Sequence, residues 1–218
     1  TKTIFDIFKK KKINKLKIYK KILVILIKLQ NINSRKIKNF KKKYYKIPNY
    51  SKKIVFNEAN LFLDWYIPQV INKNKRPKIK KELKKILTSL INKIQLSNNT
   101  FVHRDFHISN LMINNNKISI IDSQDAVYGN IVYDLASLID DVRLKTSRIL
   151  KEMIYNNYLK LNKKKINKRK FKNDFEILSV LRNLKVIGIF SRLAQRENKT
   201  KYLKLIPYTW KLIENRID

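Results

Sequence analysis

The chain has 218 residues, 44% of them hydrophobic, with 51 Lys and Arg against 16 Asp and Glu, a net charge of +35. That length and apolar content suffice for a buried core. The complete lack of cysteine excludes disulfide frameworks and thiolate metal centres, and two histidines, both in one short segment, are too few for a histidine-rich zinc centre.

Ile18, Ile22, Ile25, Leu26 and Leu29 recur at helical spacing and predict an amphipathic helix. The apolar run inside it, Ile22 to Ile27 between Lys21 and Lys28, falls far short of the ~20 residues a membrane span requires. No pattern of charged start, apolar middle and small-residue cleavage site is visible, so the expected location is the cytoplasm. Further along, Glu58 lies beside a mostly apolar helical stretch, Ala59 to Trp65, whereas Asn72 to Lys81, with Pro77 and many lysines, reads as a loop. Leu83, Ile86, Leu87, Leu90, Ile91 and Ile94 predict the next helix. Leu135, Leu138, Ile139 and Val142 predict another, and Leu181, Leu184, Ile187 and Leu193 a further one; Asn162 to Lys172 reads as a second loop. No internal repeat is present and neither loop is long enough to demand a boundary, so residues 1–218 are expected to form one unit.

The charge suggests a different class of partner. Lys9 to Lys12, Lys41 to Lys43 and Lys163 to Lys172 could contact nucleic acid or an anionic membrane. Lysine, however, greatly outnumbers arginine, the better residue for bidentate phosphate recognition, and the abundance of Lys, Asn, Ile, Phe and Tyr matches AT-rich codons. Most of the charge therefore reads as solvated surface lysine, with a nucleic-acid-binding protein kept as an alternative.

The densest chemistry lies mid-chain, in His103-Arg104-Asp105-Phe106-His107-Ile108-Ser109-Asn110 followed by Ile120-Ile121-Asp122. Moving a γ-phosphoryl group to a hydroxyl requires a carboxylate to orient and accept the hydroxyl proton, and oxygen ligands to hold Mg²⁺ against the phosphates. Asp105 fits the first task; Asn110 and Asp122 fit the second. Between them, Leu111-Met112-Ile113, Asn114-Asn115-Asn116 and Lys117 to Ile121 read as a hairpin closed by asparagines that tolerate positive φ. An antiparallel hairpin returns its end to its beginning, which would bring Asn110 and Asp122 to one cation.

His-x-Asp-x-x-x-x-Asn also occurs in protein kinases, but there the metal motif is Asp-Phe-Gly. Here it is Asp122-Ser123-Gln124-Asp125, with Tyr128-Gly129-Asn130 and Tyr133-Asp134-Leu135-Ala136 downstream. That pattern resembles the aminoglycoside phosphotransferase and choline kinase superfamily. Within it, the chain is most similar to bacterial kinases that phosphorylate N-acetylmuramate and N-acetylglucosamine at the anomeric position in cell-wall recycling. The similarity runs through Asn57-Glu58 to Tyr66, the catalytic block, and Arg182-Asn183-Leu184-Lys185-Val186-Ile187-Gly188 to Arg192-Leu193-Ala194.

The resemblance implies a mainly α fold with a small β-hairpin, the protein-kinase-like C-terminal lobe. It also implies ATP and Mg²⁺ as cofactors and a small amino-sugar substrate. His103 is implied as a brace for the catalytic loop. Asp134, by position an N-cap of the helix that follows, is implied as a second support. Asp125 is either a further metal-shell carboxylate or a turn acid. Glu58 is a candidate acceptor contact or an exposed helix-start glutamate; Arg182 and Arg192 could meet a lactyl carboxylate or form surface ion pairs. The family's chains begin with a β-rich lobe carrying a glycine-containing loop over the phosphates. The only glycines here are Gly129 and Gly188, both past the catalytic block, so the N-terminal nucleotide lobe is expected to be absent, separate or lost. Alternatives are an aminoglycoside or choline-type kinase and an inactive remnant.

Overall fold

A computed structural model describes residues 2–10, 13–38, 40–115, 117–162 and 166–217. The elements run β1 (Lys2–Thr3), α1 (Ile4–Lys10), α2 (Lys15–Gln30), β2 (Lys36–Lys38), β3 (Tyr44–Lys46), α3 (Lys52–Leu61), a π turn (Phe62–Tyr66), α4 (Ile67–Val70), a 3-10 turn (Lys73–Lys75) and α5 (Arg76–Asn92). Then come β4 (Thr100–Val102), a 3-10 turn (Ile108–Asn110), β5 (Leu111–Asn114), β6 (Lys117–Ile120), β7 (Val127–Gly129), α6 (Tyr133–Ile139), α7 (Arg148–Leu161), α8 (Lys168–Glu197), a 3-10 turn (Thr200–Leu205) and α9 (Ile206–Glu214). Packing divides the chain into two compact units, Thr1–Tyr50 with Leu96–Asn167, and Ser51–Gln95 with Lys168–Asp218.

In the first unit α2 begins at Asn14, whose side chain accepts the Lys17 N–H at 3.1 Å, satisfying a donor the helix cannot pair internally. Its buried face, Tyr19, Ile22, Leu23 and Leu26, packs on α7 and β4. Gln30 at its end donates to the Ile131 carbonyl at 2.8 Å and accepts the Tyr158 hydroxyl of α7 at 2.6 Å. The predicted hairpin exists as β5 and β6, paired Leu111↔Ile120 through Asn114↔Lys117, with Asn115 at a φ of +45° in the turn; Asn116 lies outside the described residues. The β content exceeds one hairpin. β1 joins its edge, giving the order β1-β5-β6, while β4 pairs with β7 and β2 with β3.

In the second unit α8 packs against α3, the π turn and α9. Gly188 is required there: a Cβ on it would stand 2.4 Å from the Leu61 carbonyl carbon and 2.5 Å from the Phe62 nitrogen. The helix thus runs against the backbone where α3 widens into the π turn. Phe62 and Tyr66 stack beside this contact, Trp210 meets Phe62 edge-on, and Trp210 Nε1 donates to the Tyr66 hydroxyl at 3.2 Å.

Several boundaries differ from the periodicity. Asn72 to Lys81 is not a loop: α5 starts at Arg76, with Pro77 in its first turn, where the missing N–H has no helical partner to lose. α8 begins at Lys168, inside the second expected loop; Lys163, Lys164 and Lys165 of that run, like Lys11 and Lys12, are outside the described residues. α6 stops at Ile139, short of Val142. α7, whose N-terminus is capped by the Ser147 hydroxyl on the Leu150 N–H at 3.3 Å, has only Ile154 and Tyr158 fully buried, too sparse a stripe to stand out. No helix among the described residues is long and apolar enough to cross a membrane.

Candidate active site

The buried strand β4 leads directly into His103-Arg104-Asp105. Asp134, in the first turn of α6 and 1% exposed, accepts the backbone N–H of His103 at 2.7 Å and of Arg104 at 3.0 Å through its two oxygens. Asp134 is therefore not the N-cap, a position held by Val132. Its charge sits at the positive end of the helix dipole and fixes a loop distant in sequence. Arg104 adopts a φ of +72°, a left-handed conformation costing ~1–2 kcal/mol for a non-glycine residue. It sends its guanidinium over the Tyr50 ring, 5.7 Å from the centroid, and donates from Nη1 to the Asp125 carbonyl at 3.2 Å.

The turn around Asp105 is closed by its own carbonyl, which accepts the His107 N–H at 3.0 Å and Asn110 Nδ2 at 3.1 Å. Phe106 and Ile108 are fully buried, anchoring the loop while Asp105, just before them, stays partly exposed. The ladder of the hairpin continues one step past β6, where the Ile121 N–H donates to the Asn110 carbonyl at 3.1 Å. Asp122 then turns through a φ of +69°. Its Oδ2 stands 3.5 Å from Asn110 Nδ2, and its Oδ1 accepts Gln124 Nε2 at 2.6 Å. Two left-handed residues thus flank Asp105 in one site, as strain held by surrounding contacts commonly does at functional positions.

His103 is buried beside this turn. Burial lowers the pKa of its imidazole, opposed by the Asp105 charge and the Ile121 carbonyl. The ring meets Phe106 edge-on at 6.2 Å between centroids.

Among the described residues no three His, Cys, Asp or Glu side chains gather as a metal cage. Mg²⁺ does not need one: it commonly takes one or two protein oxygens and completes its octahedron with water and substrate phosphates. Asp122 with Asn110, whose amide presents Oδ1 after a half-turn, matches that demand. The Asp125 side chain is exposed, and it is its main-chain carbonyl that Arg104 engages. Gln124 and Arg104, the side chains holding Asp122 and the Asp125 carbonyl, had no signal in the sequence beyond their place in the block.

The remaining candidates lie in the second unit. Glu58 is not an exposed helix-start residue: it sits within α3 and pairs with Lys185 Nζ at 3.0 Å, both side chains largely buried. Arg182 forms no surface ion pair; it is buried on α8. Arg192 lies about 15 Å further along the same helix, from its rise per residue, and is half-exposed.

The scaffold is helical and presents a partly exposed carboxylate, Asp105, beside the Asn110–Asp122 pair. Residues 46–165 match the profile of the phosphotransferase enzyme family, and the chain belongs to that family. Among curated proteins it is 30% identical over 166 residues to an N-acetylmuramate/N-acetylglucosamine kinase of Neisseria meningitidis, covering 74% of this chain and 50% of that protein. It is 28% identical over 176 residues to one of Pseudomonas aeruginosa, covering 78% and 52%. The chain spans about half the length of the curated relatives it matches. Among solved structures, a spectinomycin phosphotransferase bound to AMP matches with a TM-score of 0.60 at 13% identity, over 99% of this chain and 69% of that one; this shows the fold alone.

Proposed function

We propose that the chain carries out the transfer step of an ATP-dependent kinase acting on an amino sugar of the N-acetylmuramate/N-acetylglucosamine class. The observation that carries it is the approach of Asn110 and Asp122 to 3.5 Å beside the Asp105 turn, joined to the names of its curated relatives. Asp105 would orient the sugar hydroxyl and take its proton as the hydroxyl oxygen bonds the γ-phosphorus of ATP and the bond from that phosphorus to the bridging oxygen breaks, releasing ADP. Asn110 and Asp122 would hold Mg²⁺, which when bound neutralises charge on the phosphates. Asp134 and His103 would keep the Asp105 loop in place, so that catalysis comes from positioning and charge neutralisation. Asp125, Glu58, Arg182 and Arg192 are proposed as outer contacts of the metal and the acceptor.

Replacing Asp105 with Asn tests this. With Mg²⁺-ATP and either sugar, phosphate transfer followed by product mass should fall at least ~10²-fold, the usual scale of general-base loss, while the thermal unfolding midpoint stays put. Undiminished sugar phosphorylation would remove Asp105 from the role.

A further inference from the structure

No Asp or Glu occurs between Asp6 and Glu58, and within that stretch residues 36–46 carry six lysines interleaved with Ile37, Phe40, Tyr44 and Tyr45. They form the β2–β3 hairpin of the first unit. Its base is fixed. Ile47 is buried with Phe101, Ala126 and Tyr128 and donates its N–H to the Arg35 carbonyl at 2.9 Å, while the Arg35 guanidinium lies 4.6 Å from the Tyr128 ring centroid. Beyond that base every described residue of the hairpin is exposed, Phe40 at 91% and Tyr44 at 70%. Four large apolar or aromatic side chains gathered on one short hairpin make a patch, and such patches mark partner surfaces. The register sorts them. Residues opposite one another in an antiparallel ladder share a face, so Ile37 and Tyr45 lie together on one side, with Lys36 opposite Lys46 and Lys38 opposite Tyr44 on the other. Like charges directly opposed are destabilising, and neither Lys36 nor Lys46 meets a carboxylate among the described residues.

We propose that the β2–β3 hairpin docks the protein on the surface of an anionic phospholipid bilayer, with Phe40, Ile37 and Tyr45 entering the headgroup boundary and the lysines meeting lipid phosphates. Such a surface offers what each half of the hairpin lacks: hydrocarbon for the apolar side chains, and negative charge to relieve the opposed lysines. Lysine suits the boundary, since its stem lies along apolar surface while its ammonium stays in water. Single-stranded nucleic acid fits less well. It is held by flat stacking platforms and planar guanidinium groups. Ile37 cannot stack, and Arg35, the only arginine between Asp6 and Glu58, is already spent on the Tyr128 ring and on Asn49 Oδ1, to which it donates at 3.3 Å. The docking is peripheral, needs no spanning segment and does not depend on the amino-sugar reading.

The test is co-sedimentation with phosphatidylcholine vesicles, either neutral or containing about one third phosphatidylglycerol, at ~0.1 M salt. A net charge of +35 draws the protein to any anionic surface, so the share of the hairpin is read from paired variants. Changing Lys38, Lys41 and Lys42 to Gln should weaken binding to the anionic vesicles at least ~tenfold, as expected for cations removed from the leaflet surface. The same change at Lys81, Lys84 and Lys85, exposed on α5, should weaken it less than about threefold, since charges held away from the leaflet are screened. Phe40→Ser should weaken it ~tenfold or more, the scale of one aromatic side chain returned to water. Phe40→Trp should gain a blue-shifted emission that brominated phosphatidylcholine quenches, a signal absent from the unaltered protein, whose only tryptophans are Trp65 and Trp210. Thermal melts followed by circular dichroism check that each variant folds; if the triple lysine variant does not, Phe40→Ser and Phe40→Trp decide. Equal losses from the hairpin and α5 variants, or unchanged binding of Phe40→Ser, would reduce the attraction to bulk charge and overturn the docking role. Hairpin-dependent binding of single-stranded oligouridylate without binding of anionic vesicles would overturn it in favour of nucleic acid. Either result leaves the amino-sugar reading standing.

Discussion

Asp134 shows how much a single buried carboxylate can organise. It holds two consecutive backbone N–H groups of the His103–Asp105 loop at 2.7 and 3.0 Å, and bonds to a charged group contribute roughly 1.5–3 kcal/mol each. Asp134→Ala should therefore lower the free energy of unfolding by several kcal/mol, read from denaturant midpoints; a change below about 1 kcal/mol would mean the loop is held by something else. His103 makes a pH prediction. Its folded pKa is depressed by burial, so the unfolded chain binds more protons as pH drops through the ordinary histidine value near ~6.5. Its contribution is complete above that value and lost below it. Melting midpoints should fall between pH 7.5 and 5.5, and the fall should be smaller in His103→Gln; parallel curves for the two proteins would rule out this origin. Gln124 fixes Asp122 Oδ1 at 2.6 Å, so Gln124→Ala should weaken Mn²⁺ binding, followed by electron paramagnetic resonance, by roughly tenfold, the lower end for an outer-shell partner of a metal ligand. Unchanged Mn²⁺ affinity would leave Asp122 able to orient itself.

At the scale of elements, two contacts were invisible in the periodicity. Nothing in the helical period around Gly188 marks it as a contact, yet it is where α8 meets the backbone of the π turn. Gly188→Ala forces a Cβ to within 2.4 Å of the Leu61 backbone, which cannot step aside as a flexible side chain can. Overpacking of this kind costs typically 1–3 kcal/mol; a stable Gly188→Ala protein would show that α3 and α8 can separate cheaply. Tyr158 ties α7 to α2 through Gln30 at 2.6 Å and to Asn162 at 3.1 Å, and burial raises its hydroxyl pKa well above the ordinary value. It stays neutral throughout physiological pH. The helices and the hairpin were legible because hydrophobic period reports local geometry. α7 was not, because only Ile154 and Tyr158 along it are fully buried. Asn72 to Lys81 was misread because proline and lysine mark loops on average, while a helix's first turn tolerates both.

For the molecule as a whole, a charge of +35 is spread over a surface where Lys41, Lys42 and Lys43 are exposed. Self-repulsion of so many like charges favours the expanded state, and salt screens it over a Debye length of about 10 Å at 0.1 M. The melting midpoint should therefore rise between 0.05 and 0.5 M NaCl; a fall would mean that attractive pairs, such as Lys151 with Asp140 at 2.7 Å, outweigh repulsion. The sequence alone determined the family resemblance of the His103–Asp122 block and the helical character, since both depend on residue types at short, regular spacings. Tertiary structure alone decided that Asp134 closes on His103 and Arg104 and that Glu58 is spent on Lys185. Those pairings join residues separated by 31 and 127 positions. No local pattern encodes which distant group will meet a side chain, because that depends on how packed helices and strands close the chain upon itself.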